Sequence, residues 1–535
     1  MNIGIDFDNT IAKYDQIFIE TAIKKEFVSS NWFGNKEALK KEFQNKKKEW
    51  MRLQGQVYGP LMRKAICFPG VKRFLLKAQF CNHKIFIISH KTIYGHYDET
   101  RTNLRKQALA WLEENNFFNQ RLYNLCKNNI FFCTTKEEKI KKINELNLDF
   151  MIDDLNDIFR HKISTKTKKI LFNSSLKKNN ADYNFGDWDQ ISKLIFSRNE
   201  NKLGLIKVCN TINCYNIITS IDEIKRGGNS RVYKLNDINN KSFILKEYPN
   251  KHLEVKPRLK NELRALNLLK NLKNVPKIVS FNEELNVIVL NYIQGKKIYK
   301  VTSKNISEAI NFIEKLYEMS KKNIKYYPAT EACLNAKDLI SQIDNRFENL
   351  KFIENKDLKQ SLNKLIKLNL KLKERAYKIW PKDNININLS RKFLTFSPSD
   401  FGFHNAIINQ NNSITFIDFE YFGLDDPVKL ISDFLWHPAM SLNTNQKILF
   451  TKGFLKIFEN DHSFKKRLNV AFSMYGLRWC LIILSKILKV NFEGKNLCKN
   501  TKLTNFEQIT KLQIIKSNRI YDEIMKNKME FVYDK

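Results

Sequence analysis

Short apolar runs and polar helical stretches alternate through the first third of the chain. Ile3–Phe7, Lys84–Ser89, Ile130–Cys133, Phe150–Ile152 and Lys169–Phe172 are apolar at consecutive positions, the pattern of strands buried on both faces. Between them, Arg101–Asn116 and Glu137–Leu148 carry apolar residues at helical spacing. Strand–helix alternation of this kind predicts an α/β fold with a doubly wound parallel sheet. Residues 13–65 read as long polar helices without a strand, which predicts a helical cap inserted over the carboxyl end of that sheet.

The pattern changes further on. A polar stretch from Asn173 to Glu200 closes the first domain, placed at 1–190, and 191–214 reads as a linker. Strand-like segments at Ser230–Leu235, Ser242–Glu247 and Val287–Tyr292 then flank a strong helical pattern over Arg258–Leu272. From Ser307 the chain is mostly helical, broken by a short strand pair, Ala406–Ile408 and Ile414–Ile417. A β-rich lobe over 215–295 before a helical lobe over 296–535 predicts a bilobal, protein-kinase-like α+β domain.

Composition bounds the function classes. A chain of 535 residues exceeds one hydrophobic core, and its 43% apolar and 12% aromatic content is that of a folded protein. The net charge of +36 comes from Lys spread along the whole chain, with Asn, Ile and Phe also abundant. That distribution favours background composition over a nucleic-acid-binding stripe, with nucleotide or phosphorylated substrates using part of the field. The nine Cys form no Cys-x-x-Cys pair and no Cys/His cluster at zinc spacing, which suggests a reducing compartment. The chain opens on a strand that meets Asp6 at once, unlike a signal peptide, and the apolar stretch Trp479–Leu484 is short and followed by Lys486. The expectation is a cytoplasmic protein.

Two groups of residues carry chemistry. In Ile3-Gly4-Ile5-Asp6-Phe7-Asp8-Asn9-Thr10, two carboxylates stand where a buried strand runs out. Ser89 ends a second strand and Asp153-Asp154 ends a third. An isolated Asp at a strand end is usually a turn or a cap. Four carboxylates at one sheet edge, however, repel unless a divalent cation joins them, and oxygen ligands suit Mg²⁺. The second group is Ser397-Pro398-Ser399-Asp400-Phe401-Gly402-Phe403-His404-Asn405, followed by Phe416-Ile417-Asp418-Phe419-Glu420. An Asp, an Asn five positions on and an Asp closing the next strand form a catalytic-loop and metal-Asp pattern. Upstream stand a glycine-bearing turn at Gly227-Gly228, a strand-borne Lys246 and a helical Glu262 to partner it.

The first group resembles the haloacid-dehalogenase superfamily over about residues 1–185. The resemblance implies Asp6 as phosphoryl-accepting nucleophile, Asp8 as acid and base, and Ser89 as a phosphoryl hydrogen-bond donor. It implies Mg²⁺ held by Asp6, Asp8, Asp153 and Asp154, and a catalytic Lys at Lys139 or Lys136, of which Lys139 is preferred. The second group resembles the aminoglycoside-phosphotransferase and choline-kinase branch of the kinase fold, from 215 to about 530. That resemblance implies ATP or another nucleoside triphosphate, with Gly227, Gly228 and Lys246 at the phosphates, Asp400 at the acceptor hydroxyl, and Asn405 and Asp418 on Mg²⁺. It also makes Asn291–Gly295 the inter-lobe hinge, and Glu420 and His404 further candidates for contacts at the site. The branch usually has His and Gly before the catalytic Asp; here Pro398 and Ser399 stand there, which puts an antibiotic substrate in doubt.

These readings together describe a bifunctional enzyme, a kinase of a small hydroxylated metabolite joined to a phosphohydrolase. Two alternatives stand beside it. A nucleic-acid end-processing enzyme would carry a Gly-x-x-x-x-Gly-Lys-Ser/Thr loop, which is absent. One domain could instead be regulatory, against which both carboxylate sets argue.

Overall fold

A six-stranded, all-parallel sheet runs in the order Ile130–Cys133, Lys84–His90, Asn2–Ile5, Phe150–Asp153, Lys168–Phe172, Tyr183–Phe185. The structure is a computed structural model that describes the chain except residues 30, 31, 33, 35, 98, 99, 120, 121, 124, 174–178, 212–216, 227–229, 249–256, 323–326, 352–354, 382–384, 441, 495–502 and 535. The first strand is central. Chain order runs outward on one side of it and then returns to the other, so the ends of Asn2–Ile5 and Phe150–Asp153 meet at the switch point where such sheets bind ligands. Side-chain caps start the crossover helices: Asn103 accepts from the Lys106 amide before Leu104–Glu114, and Thr135 from Glu138 before Lys136–Glu145. Helices Asp15–Lys24, Lys36–Glu42 and Lys47–Tyr58 make the cap, closed at its base by a two-residue ribbon, Ala12–Lys13 with Ile66–Cys67, absent from the sequence reading.

A five-stranded antiparallel sheet follows, in the order Ile278–Asn282, Val287–Asn291, Ser242–Glu247, Arg231–Asp237, Ile218–Arg226. The expected linker at 191–214 is largely helical instead, comprising Trp188–Ile195 and Arg198–Thr211. The second of these buries Leu205, Val208 and Cys209 and packs on both helix Val71–Phe80 and strand Ile218–Arg226. One continuous core therefore runs from Ile3 in the parallel sheet to Val289 in the antiparallel one. By contacts the chain divides into residues 1–255 with 279–291, and 256–278 with 292–535. The boundary expected near 190 cuts through the first of these units.

The second unit is helical. Its long helix Phe464–Gly494 packs against Leu503–Lys526, Pro427–Trp436, Ala336–Leu350 and Lys356–Ile379. The window Phe464–Leu488 is long and apolar enough to cross a membrane by composition, well beyond the stretch singled out in the sequence, yet 78% of it is buried in this packing. It is the core helix of the unit. Two small antiparallel sheets, Lys296–Lys297 with Ala406–Ile408 and Ile414–Phe416, and Thr395–Ser397 with Gly423–Asp425, carry the catalytic-loop motif. At the expected hinge, a Cβ on Gly295 would fall 2.4 Å from the Ile408 carbonyl oxygen, so only glycine fits that approach.

Candidate functional site

The parallel sheet brings Asp6, Asp153 and Asp154 together, with carboxylate oxygens all within 4.8 Å of one another. Asp6 follows the first strand and Asp153 ends its neighbour, and the Asp6 amide donates to the Ile152 carbonyl at 2.8 Å. Lys139, fully buried on helix Lys136–Glu145, donates to Asp6 Oδ1 at 2.6 Å and Asp153 Oδ2 at 2.7 Å. Lys136 instead pairs with Asp157 on the surface, so the helix turns only Lys139 inward. Burial works against the Lys139 ammonium, but Asp153 and Asp6 outweigh it and raise its pKa. Asp6 is pushed up to about 7, first by burial and then by the neighbouring Asp153 and Asp8, against the pull of Lys139. Burial, Asp6 and Asp153 also raise Asp154 well above its usual value. Lys139, with Lys36 acting on Asp154, leaves the three packed carboxylates under-compensated, and the all-oxygen donor set fits a hard divalent cation such as Mg²⁺.

Asp8 stands outside this cluster. Lys91 bridges both its oxygens, at 3.1 and 2.8 Å, and the Tyr14 hydroxyl donates to Oδ1 at 2.6 Å. Ser89 Oγ is buried with no hydrogen-bond partner among the described residues, beside strand-mate positions that are otherwise paired. A cavity of about 180 Å³ opens above, lined by Asp8, Lys91, His90 and His96 from the sheet side and by Gln54 and Tyr58 from the cap. Lys36 of the cap donates to Asn9 Oδ1 at 2.6 Å, and burial lowers its pKa against the pull of Asp15, Asp154 and Asp8. Sequence reasoning missed Lys91, Lys36 and Tyr14. A signal existed only for Lys91, a cation two residues past the strand-terminal Ser89.

In the second unit Asp400 lies at the end of the loop after Thr395–Ser397. His404 Nε2 approaches its Oδ1 at 3.0 Å and His437 Nε2 at 3.6 Å, while the Asn405 side-chain amide donates to its carbonyl at 3.0 Å and to Oδ2 at 3.2 Å. The two imidazoles stack with ring centres 3.8 Å apart. Burial alone would raise Asp400, but the hydrogen bond and charge of His404, with His437 and Asn405, hold it down at about 2. Burial and the adjacent His404 depress His437 to about 4. Both Ser399 and Asp418 sit in the left-handed region, at φ 65° and 73°. Such backbone strain concentrates at functional sites, and a glycine would adopt the Ser399 conformation more easily. Here Ser399 is held by its Oγ donating to the Thr330 carbonyl at 3.2 Å and by Lys429 donating to the same Oγ at 3.3 Å.

Asp418 joins Glu262 and Glu420 in a second carboxylate cluster, again with oxygens within 4.8 Å. Arg258 flanks Glu420 at 3.5 Å. This group sets Glu262 and Glu420 beside the expected Asp418, while Asn405 donates through Nδ2 to Asp400 and its backbone carbonyl accepts from the Ile417 amide at 2.9 Å. Glu262 belongs to this carboxylate group, and Lys246 is buried on strand Ser242–Glu247, with its ammonium 5.3 Å from the Tyr248 ring centre. Gly227 and Gly228 lie outside the described residues. Cys81, His83 and Glu200 also converge in space. There Glu200 accepts from the Ser197 amide at 2.7 Å and His83 stacks on Phe196, so the group packs the start of helix Arg198–Thr211.

Comparison with known proteins bears on part of the chain. Residues 220–446 match the phosphotransferase enzyme family. No curated protein matches the chain. Among solved structures, choline kinase from Cryptosporidium parvum shares 15% identity over 61% of this chain and 96% of that one, with a TM-score of 0.40. Choline kinase from Streptococcus pneumoniae shares 16% over 58% and 97%, TM-score 0.38, and Plasmodium vivax ethanolamine kinase 13% over 59% and 89%, TM-score 0.40. The family match starts at residue 220 and leaves the parallel-sheet domain to its own geometry. What it gives the chain is a kinase-type phosphotransferase domain that contains Lys246, Glu262, Asp400, Asn405 and Asp418.

Proposed function

We propose that the kinase domain phosphorylates a small hydroxylated metabolite, and that the parallel-sheet domain is a Mg²⁺-dependent phosphohydrolase of the haloacid-dehalogenase type. The observation that carries the second half is Lys139 bridging Asp6 and Asp153 beneath the unpartnered Ser89 hydroxyl. Lys139 engages Asp6 through Oδ1, which leaves Oδ2 to attack phosphorus. The Asp6 Oδ2–P bond forms as the ester P–O bond breaks, and the leaving oxygen takes the proton of the Asp8 carboxyl, which Asp8 later regains from the attacking water. Ser89 Oγ donates to a phosphoryl oxygen, and Lys91 holds Asp8 and adds positive charge above the nucleophile. When bound by Asp6, Asp153 and Asp154, Mg²⁺ would neutralise charge on the transferring group. Water then attacks the phosphoaspartate and releases inorganic phosphate.

In the kinase, Asp400 orients the acceptor hydroxyl. Held as a carboxylate by His404 and Asn405, it is a weak base and a strong hydrogen-bond acceptor, which suits a reaction governed by positioning and charge. Glu262, Asp418 and Glu420 would hold the Mg²⁺ that accompanies ATP, and Lys246 would contact the phosphates. The test is a pair of assays on the full chain. Phosphate release from small phosphoesters should require Mg²⁺ and vanish in Asp6→Asn, with loss of trapping by beryllium fluoride. A metabolite screen for ATP consumption should find an acceptor whose turnover collapses in Asp400→Asn. Unchanged phosphate release in Asp6→Asn would refute the phosphohydrolase half.

A further inference from the structure

Strand Ser242–Glu247 presents successive side chains to opposite faces, so Lys246 and Glu247 point away from each other. Glu247, 4% exposed, faces helix Val71–Phe80 of the parallel-sheet domain, where Arg73 meets it with Nη1 2.7 Å from Oε1. The same guanidinium donates from Nε and Nη2 to the Leu285 carbonyl at 2.9 and 2.5 Å, and from Nη2 to the Tyr248 carbonyl at 3.0 Å. Those two carbonyls flank the paired ends of Ser242–Glu247 and Val287–Asn291, where Glu247 stands opposite Val287 and Lys246 opposite Ile288. Lys77, on the same helix, adds a second cation 3.6 Å from Glu247, and Arg231 a third at 3.7 Å, while the Tyr233 hydroxyl donates at 3.3 Å.

This is a buried ion network, and such networks are retained less for net stability than for fixing one arrangement among several. A strand that slips by one residue exchanges its faces, which here would turn Lys246 into the helix and Glu247 out. Arg73 opposes that slip with four hydrogen bonds in a rigid planar fork, a task that a lysine's point charge does less well. Asp189, 3.6 Å from Nη1, holds the guanidinium from the parallel-sheet side.

We propose that Arg73 is a positioning residue of the kinase: rooted in the parallel-sheet domain, it sets the register of the strand that carries Lys246. The proposal rests on the reading of Lys246 as a nucleotide-phosphate contact. It makes the N-terminal domain part of the nucleotide-handling apparatus, independently of any hydrolysis at Asp6.

The test is calorimetric titration of the full chain with Mg²⁺ and the non-hydrolysable ATP analogue AMP-PNP. Stoichiometry counts the molecules able to bind, and Kd reports how well those molecules bind. A merely structural Arg73 would lower the first and spare the second. Arg73→Met should weaken binding by roughly tenfold or more, and Arg73→Lys by less, because misplacing a contact group by about 1 Å is enough for losses of this size. Should Arg73→Met fail to accumulate, the isosteric Glu247→Gln removes the same ion pair and should act in the same direction. Unchanged Kd in these variants, with Lys246→Ala weakened, overturns the role of Arg73 alone. Unchanged Kd in Lys246→Ala overturns the nucleotide reading and this proposal with it.

Discussion

Asp6 and Asp400 both follow a short strand, and the two units treat them in opposite ways. Asp6 is packed against two further carboxylates, Lys139 bonds it directly, and its pKa rises to about 7. Asp400 is half-exposed, accepts from an imidazole and an amide, and is held at about 2. The first arrangement stores unfavourable charge that a cation relieves, which suits a nucleophile that must be ionised only when Mg²⁺ and substrate are present. The second keeps a permanent carboxylate whose lone pairs are already directed, which suits a residue that orients a hydroxyl. Environment alone, with the same side chain, sets the two carboxyl groups apart in pKa.

The comparison breaks first at Asp6. Asp6→Asn should lower Mg²⁺-dependent phosphate release on the order of 10⁴-fold or more, the scale of losing a covalent nucleophile, while sparing kinase turnover. Asp400→Asn should lower acceptor phosphorylation roughly 10²–10⁴-fold, leaving AMP-PNP affinity near wild type. Steady-state rates on both substrates for both variants give the full cross-check, and a shared loss would mean that the sites are not separate.

Removing the cation beneath Asp6 should cost stability rather than only rate. Lys139→Met leaves buried carboxylates unpaired, for a loss of about 3–5 kcal/mol in urea unfolding. Added Mg²⁺ should recover part of it. In wild type, Mg²⁺ at 100 times its Kd should stabilise the first unit by about 2.7 kcal/mol, and Asp154→Asn should reduce that gain.

A titration sharpens the contrast in sign. Asp6 has a folded pKa above its unfolded value of 3.8, so in EDTA its contribution to stability is present below about pH 4 and lost as pH rises through about 7. Wild type should therefore weaken relative to Asp6→Asn over that interval. Asp400 has a folded pKa below its unfolded value, so its contribution is present above about pH 4 and lost as pH falls through about 2. Wild type should strengthen relative to Asp400→Asn on the way up from pH 2. Unfolding curves at several pH values, wild type against each variant, check both slopes. The smallest effect should come from Ser399→Gly, which relieves left-handed strain but forfeits the two Oγ hydrogen bonds, leaving stability within about 1 kcal/mol of wild type.

How much of this was legible in the sequence follows from range. The strand-end carboxylates Asp6 and Asp153 could be read because continuous apolar runs mark buried parallel strands and the acids end them. Lys139 could be preferred over Lys136 but not secured, since helical phase decides which of them faces inward. Lys36, Tyr14 and Arg73 carry no local signal, because each owes its role to residues that tertiary folding brings to it. The linker was misread for a related cause. A polar stretch looks like a boundary, but three apolar positions in Arg198–Thr211 suffice to bind it to helix Val71–Phe80. That Asn405 donates to Asp400 could not be read, because side-chain type is visible in a sequence and side-chain orientation is not.

The interleaving of the two units along the chain sets a timetable for synthesis. The chain enters the second unit at 256–278, returns to the first at 279–291, and then leaves it for good. On a ribosome adding roughly 5–20 residues per second, the antiparallel sheet lacks strand Val287–Asn291, its neighbour to Ser242–Glu247, until residue 291 has emerged. Helix Arg258–Leu268 must wait far longer, for the packing partners that follow residue 292. During that interval its apolar face, with Leu259, Leu263 and Leu266, has no core to enter. Slowing translation after residue 291 should therefore expose this nascent helix to chaperones, while the sheet that precedes and follows it is already closed.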